Sequence, residues 1–144
     1  MNSYVKHFRD SKVYKKQREV SKEVFRHSKS FPSEERFSLT DQIRRSSRSV
    51  GAQIAEAWAK RLYPKHFVSK LTDADGEQLE TQHWLIEALD CEYLSQSDYT
   101  NLTYKCEEIG RMLGAMIRKA DSFASSDYQT QEEAADYLAD PTTY

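Results

Sequence analysis

The sequence predicts an all-α protein, an antiparallel up-down-up-down four-helix bundle. Three observations carry that expectation. Only four glycines and three prolines occur in 144 residues, too few for a turn-rich sheet protein. Two long stretches keep an alternating three- and four-residue apolar spacing, the period of one helix face. Prolines and Ser-x-x-Asp signals fall between the apolar stretches, where helices stop and start.

Each element can be justified in turn. A first helix over about residues 10–30 has Val13, Gln17, Val20, Val24 and Phe31 on one stripe, and Pro32 follows it. Ser38 as N-cap with Asp41 at N3 then opens a second helix running to about residue 61. Ile43, Ser47, Val50, Ile54 and Ala57 form its core face. Pro64 suits the first turn of a third helix reaching about residue 90. Phe67, Leu71, Ala74, Gln78, Thr81, Leu85 and Ala88 make its seam. Ser95 and Asp98 repeat the capping signal for a fourth helix ending near residue 123. Its seam is Tyr99, Leu102, Cys106, Ile109, Leu113, Met116 and Ala120. Such seams pack at shallow crossing angles, and short connections make successive helices antiparallel neighbours. The organisation expected is a basic N-terminal arm over residues 1–9, the bundle over 10–123, and an acidic tail over 124–144.

Several function classes are excluded by what the chain lacks. No stretch approaches the roughly 18–20 apolar residues of a membrane span, and the N-terminus has no secretory apolar region. Cys91 and Cys106 have no metal-ligand spacing and fall on the order of 15 Å apart along the bundle, too far for a disulfide. Reduced thiols point to the cytoplasm. Glu80 and His83 make a lone E-x-x-H, whereas a di-iron bundle needs two such motifs and two further Glu. Both also point away from the Phe67 seam. His7, His27 and His66 have no mutual ligand spacing. There is no nucleophile elbow or Gly-rich phosphate loop, and Ser46, Ser47 and Ser49 read as small packing residues. The expectation is no enzyme, no cofactor, no metal and no small-molecule substrate.

Charge is more informative. Residues 1–66 hold 16 Lys and Arg against 7 Asp and Glu, whereas residues 67–144 hold 5 against 16. The halves can neutralise each other within a subunit, meet between subunits, or leave the basic half for a polyanion. Helix two concentrates the question. Opposite its core face lie Arg44, Arg45 and Arg48, then Ala52, Ala55 and Ala59. Those alanines fit an oligomer interface; the alternative is that alanine is simply the best helix former. Arg44, Arg45, Arg48, Lys60 and Arg61 are candidates for nucleic-acid or inter-subunit contact, with Trp58 and Tyr63 available to stack bases. All four glycines, Gly51, Gly76, Gly110 and Gly114, fall inside expected helices, which implies close packing at each.

The segment from Phe31-Pro32-Ser33-Glu34-Glu35 through Gln42-Ile43-Arg44-Arg45-Ser46 to Ile54-Ala55-Glu56-Ala57 closely resembles the four helix bundle protein family, also called the 23S ribosomal RNA intervening-sequence protein family. The family's hallmark reads roughly FPxEExxxLxxQIRRAxxSIxxNIAEG. Phe67, Leu71, Ala74, Leu79 and Glu80 fit its third-helix pattern, and the resemblance covers about residues 10–123. Gln53 stands where Asn is usual, Ala57 where Gly is common, and Gly51 where Pro is frequent. The resemblance implies an antiparallel four-helix bundle, often a ring-shaped homopentamer, with no known catalytic activity. Some relatives are encoded in spacer segments of ribosomal RNA genes. Others resemble accessory proteins of diversity-generating retroelements, which associate with nucleic acid and a reverse transcriptase. The function expected is therefore a homo-oligomeric adaptor acting with RNA, DNA or a nucleic-acid enzyme. The alternative is a purely protein-binding scaffold whose charges are satisfied internally.

Overall fold

The computed structural model describes residues 6–124. Residues 1–5 and 125–144 lie outside it, and with them half of the basic arm and all but the first residue of the acidic tail. Four long helices form, α1 Lys12–Ser28, α2 Leu39–Ala59, α3 Pro64–Asp90 and α4 Gln96–Arg118, followed by a short α5 Ala120–Ala124. No strand occurs among the described residues.

Local chemistry sets most of the boundaries. Ser11 Oγ accepts the Tyr14 N–H at 3.3 Å and starts α1, after a 3-10 turn over Phe8–Asp10. Pro64 occupies the first turn of α3, where its missing N–H costs nothing. Ser95 Oγ accepts the Asp98 N–H at 3.0 Å and caps α4. Ser38 differs from expectation. It is the N-cap of α2 but makes no side-chain cap; its hydroxyl donates to Glu35 Oε1 at 2.6 Å. The 3-10 turn Ser33–Glu35 presents that carboxylate beside the helix start, where it takes the hydroxyl in a charge-assisted hydrogen bond. Tyr93 Oη donates to Glu35 Oε2 at 3.0 Å. The Ser38 bond, then the Tyr93 bond, holds the Glu35 carboxyl below its ordinary range.

Side-chain contacts fix the antiparallel order. Gln17 Nε2 on α1 donates to the Ser47 carbonyl on α2 at 3.0 Å. Lys70 on α3 meets Glu56 on α2 at 3.0 Å. Phe67 on α3 stacks on Phe123 of α5, centroids 5.0 Å apart. Lys105 on α4 closes the circle onto Glu23 of α1 at 2.9 Å. The seven seam positions expected on α3 are its seven buried residues. On α4 the seam also holds, except that Tyr99 is only partly buried, with Met112 and Ala115 added. Thr81 Oγ1 donates to Ser46 Oγ at 2.9 Å where α2 and α3 meet; Ser46, Ser47 and Thr81 are buried there and Ser49 is partly buried.

Two expectations are corrected by packing. The fourth helix does not run unbroken to residue 123. It ends at Arg118, and Lys119 (φ −110°, ψ 25°) turns the chain so that Ala120 and Phe123 become buried. Nor does every glycine have a packing reason within the subunit. A Cβ at Gly51 would collide with the Gln17 amide, and one at Gly110 would lie 2.8 Å from Gln78 Nε2. At Gly76 a Cβ would meet nothing within 4 Å among the described residues.

The thiols differ sharply in environment. Cys91 is exposed and Cys106 is buried; burial, with a smaller push from Glu107, raises the Cys106 thiol to about 12. A thiol-specific aromatic disulfide reagent near pH 8 is expected to titrate one cysteine in the native protein and two in denaturant. Two fast thiols in the native state would contradict the packing of α4.

Candidate nucleic-acid and assembly interface

The five basic candidates do not form one patch. Arg45 turns toward α3, where it pairs with Glu77 at 3.2 Å and with Glu80. Trp84 Nε1 donates to the same Glu80 carboxylate at 3.1 Å. The E-x-x-H glutamate is thus the acceptor for an arginine and a tryptophan, and His83 is exposed beside Trp84. Among the described residues no three His, Cys, Asp or Glu side chains converge as metal ligands.

Arg44 and Arg48 turn the other way, toward α1. The Arg44 guanidinium lies 4.7 Å from the Phe25 ring centroid, and its Nε donates to Ser28 Oγ at 2.7 Å. Arg48 lies 5.5 Å from the same ring and Lys29 Nζ 4.8 Å. Three cations therefore gather around one partly exposed phenyl ring, which attracts them through its quadrupole. Phe25 was missed in the sequence because it sits off the apolar stripe of α1. Its only local signal is Lys29 one turn on. Neither Arg44 nor Arg48 pairs with a carboxylate among the described residues.

Lys60 and Arg61 lie twelve or more residues further along the α2 strand of chain, about 18 Å from Arg48. Arg61 packs 4.6 Å from the Trp58 ring and donates to the Trp58 carbonyl at 2.9 Å. Trp58, half-buried against the core, is covered by that guanidinium and is not an open stacking platform. Tyr63 is 61% exposed, with an edge contact to His66.

Between the two cation groups runs the alanine strip, with Ala52 and Ala59 exposed and Ala55 half-buried. Ala52, Ala55 and Gly51 floor a groove of about 160 Å³ whose walls include Gln17, Tyr14 and Arg48. Gln17 is 3% exposed, and its Oε1 has no hydrogen-bond partner among the described residues. On the opposite, α3/α4 side lies a larger groove of about 470 Å³. Gly110 and Gly114 floor it, and Asp75, Glu107, Arg111, Arg118 and Leu79 stand at its walls. Leu79 is 53% exposed there, next to the open backbone of Gly76. No helix among the described residues is long and apolar enough to cross a membrane.

A family model described as 23S rRNA-intervening sequence protein matches residues 9–115. A solved structure is similar over most of its length, that of a protein with unknown function from the S23 ribosomal protein family of Bacteroides thetaiotaomicron. The two are 30% identical, the match covers 74% of this chain and 95% of that one, and the TM-score is 0.66. Among curated proteins there is no match.

Proposed function

The chain belongs to the 23S rRNA-intervening sequence protein family, and we propose that it works without catalysis in the cytoplasm, as a homo-oligomeric adaptor associating with RNA, DNA or a nucleic-acid-processing partner. One observation carries this reading: opposite faces of the bundle have opposite charge. Residues 6–63, comprising α1 and α2, hold 15 Lys and Arg against 7 Asp and Glu; residues 64–124 hold 6 against 11. A ring requires one patch to meet a different patch on the next copy. The basic α1/α2 side with its alanine-floored groove and the net-acidic α3/α4 side with its glycine-floored groove are such a pair, and the family resemblance suggests five copies. Arg44, Arg48 and Lys60 at the edges of the alanine strip would then meet phosphates.

Salt is the first test. Exposed ion pairs are screened over about 10 Å at 0.1 M salt, so light scattering is expected to show oligomers that dissociate as salt rises. A monomer at low salt and micromolar protein would end the ring reading. A second reading, a protein-binding scaffold without nucleic-acid contact, is favoured by the internal engagement of Arg45 and Arg61. Gel-shift titration with structured RNA at about 50 mM salt separates the two. The adaptor reading expects binding that falls steeply with salt and drops about tenfold or more in an Arg48→Glu/Lys60→Glu variant. No shift at low salt supports the scaffold. Arg45 is a poor probe, because replacing it strands Glu77 and Glu80.

A further inference from the structure

We propose that the acidic segment 125–144 docks on the basic end of its own bundle and acts there as a built-in competitor of polyanions. The docking stands on the geometry below; the competition rests on the nucleic-acid reading just given.

Antiparallel packing gathers four helix ends at one end of the molecule: the start of α1, the end of α2, the start of α3 and the end of α4. The Lys70–Glu56 pair and the Phe67–Phe123 stack lie in that half, and the Lys16–Glu108 pair marks its boundary. A cut at the level of Gln17, Gly51 and Gly110 divides the described charge unevenly. Residues 6–17, 52–75 and 111–124 hold 12 Lys and Arg against 5 Asp and Glu, whereas the other end holds 9 against 13. The helix dipoles do not explain the excess, since two N-termini and two C-termini meet there and offset one another. Like charges crowded at one end repel. Lys12, Lys15, Lys60 and Lys65 are exposed, and no carboxylate among the described residues pairs with them.

The chain leaves the bundle at this same end. Phe123, 4% exposed, seats α5 on Phe67 and so tethers residue 124 beside the lysines. The twenty residues that follow carry Asp127, Glu132, Glu133, Asp136 and Asp140 and no Lys or Arg. Sixteen residues separate Ala124 from Asp140; a random-coil chain of that length averages roughly 20–24 Å end to end, about two helix diameters, which is the reach needed to span the basic end. Apolar chemistry matches as well. Leu62 and Tyr63 are 52% and 61% exposed at that end, while Tyr128, Tyr137 and Leu138 alternate with the acids. A tether gives the segment an effective concentration in the millimolar range, enough for weak, salt-screened pairs to compete with a polyanion yet be displaced by a longer one.

The test uses the full chain with the five acids neutralised, Asp127→Asn, Glu132→Gln, Glu133→Gln, Asp136→Asn and Asp140→Asn. A control neutralises Glu34, Asp41, Glu87, Asp90 and Glu92 at the opposite end, for the same change in net charge. Docking predicts that amide resonances of Lys12, Lys15, Lys60 and Lys65 shift between wild type and the first variant but not the control. It also predicts that high salt gives wild type the variant's spectrum. Heparin, as the polyanion probe, is expected to bind the first variant about five- to tenfold more tightly than the control. Unmoved lysine resonances would overturn the docking. Moved resonances with equal heparin affinity would overturn the competition alone, and no heparin binding by any variant would count against the nucleic-acid reading rather than the docking. A spin label at Ala139→Cys in a Cys91→Ser background decides whose end is covered. Broadening of residues 12–16 and 60–66 within one chain supports the proposal; broadening only between differently labelled chains overturns it.

Discussion

Phe67→Ala is expected to lower the free energy of unfolding by about 3–5 kcal/mol. Phe67 is fully buried in the first turns of α3, and its ring meets Phe123 at 5.0 Å with a 38° tilt. Truncation removes that stack and leaves a cavity which Leu71 and Leu113, also fully buried, cannot fill without leaving their own packing. A domain of this size holds about 5–15 kcal/mol in total, so the loss is a large share of it. Phe123→Ala should cost less, because α5 is five residues long and the end of the bundle can settle over the gap. A double-mutant cycle is expected to give a coupling of about 0.5–1.5 kcal/mol. Urea unfolding with unchanged m-values checks all three. A loss under about 1 kcal/mol for Phe67→Ala would mean that α5 does not close the core.

Why the α3 seam was legible down to the residue, while the partner of Arg45 was not, comes down to range. Alternating spacing is a local property of one helix, so Phe67 to Ala88 declares its face before any neighbour is known. Caps made within three residues, such as Ser95 to Asp98, are legible for the same reason. Ser38 failed as a side-chain cap because its partner Glu35 is held by Tyr93, 58 residues away, and no local signal announces that. The wheel placed Arg44, Arg45 and Arg48 together. Yet 100° separates Arg45 from Arg44, enough to send one to the carboxylates of α3 and the other to Phe25 on α1. The axial charge gradient was hidden more deeply still. It arises only when the antiparallel order brings the end of α2 and the start of α3 beside the start of α1, so counting along the chain shows a basic half and an acidic half instead. The helix cost that implied packing at Gly110 applies equally to Gly76; helical glycines look alike in sequence, and only the neighbour, Gln78 in one case and open space among the described residues in the other, tells them apart.

Ala55→Glu is expected to abolish assembly while leaving the subunit folded. Ala55 is half-buried on the outer side of α2, and glutamate is a good helix former there, so the helical signal and the unfolding midpoint of the isolated subunit should barely move. In the proposed ring the same position faces the next copy's glycine-floored α3/α4 groove. A glutamate there pushes apart helices that alanine and glycine let approach, and the lost close contact costs about 3–5 kcal/mol, or about a hundredfold or more in subunit affinity, which sedimentation or light scattering would read. Gly76→Ala supplies the counter-check, because its two effects have opposite signs. Within the subunit the added methyl meets nothing within 4 Å and gains up to about 1 kcal/mol of helix stability; between subunits it obstructs the close approach that an open glycine permits. A variant that melts later yet assembles more weakly therefore places Gly76 at the contact, whereas one that melts later and assembles normally leaves it in solvent. If Ala55→Glu also assembles like the wild type, the alanine strip is only a run of good helix formers, and the opposite charges of the two faces serve something other than a ring.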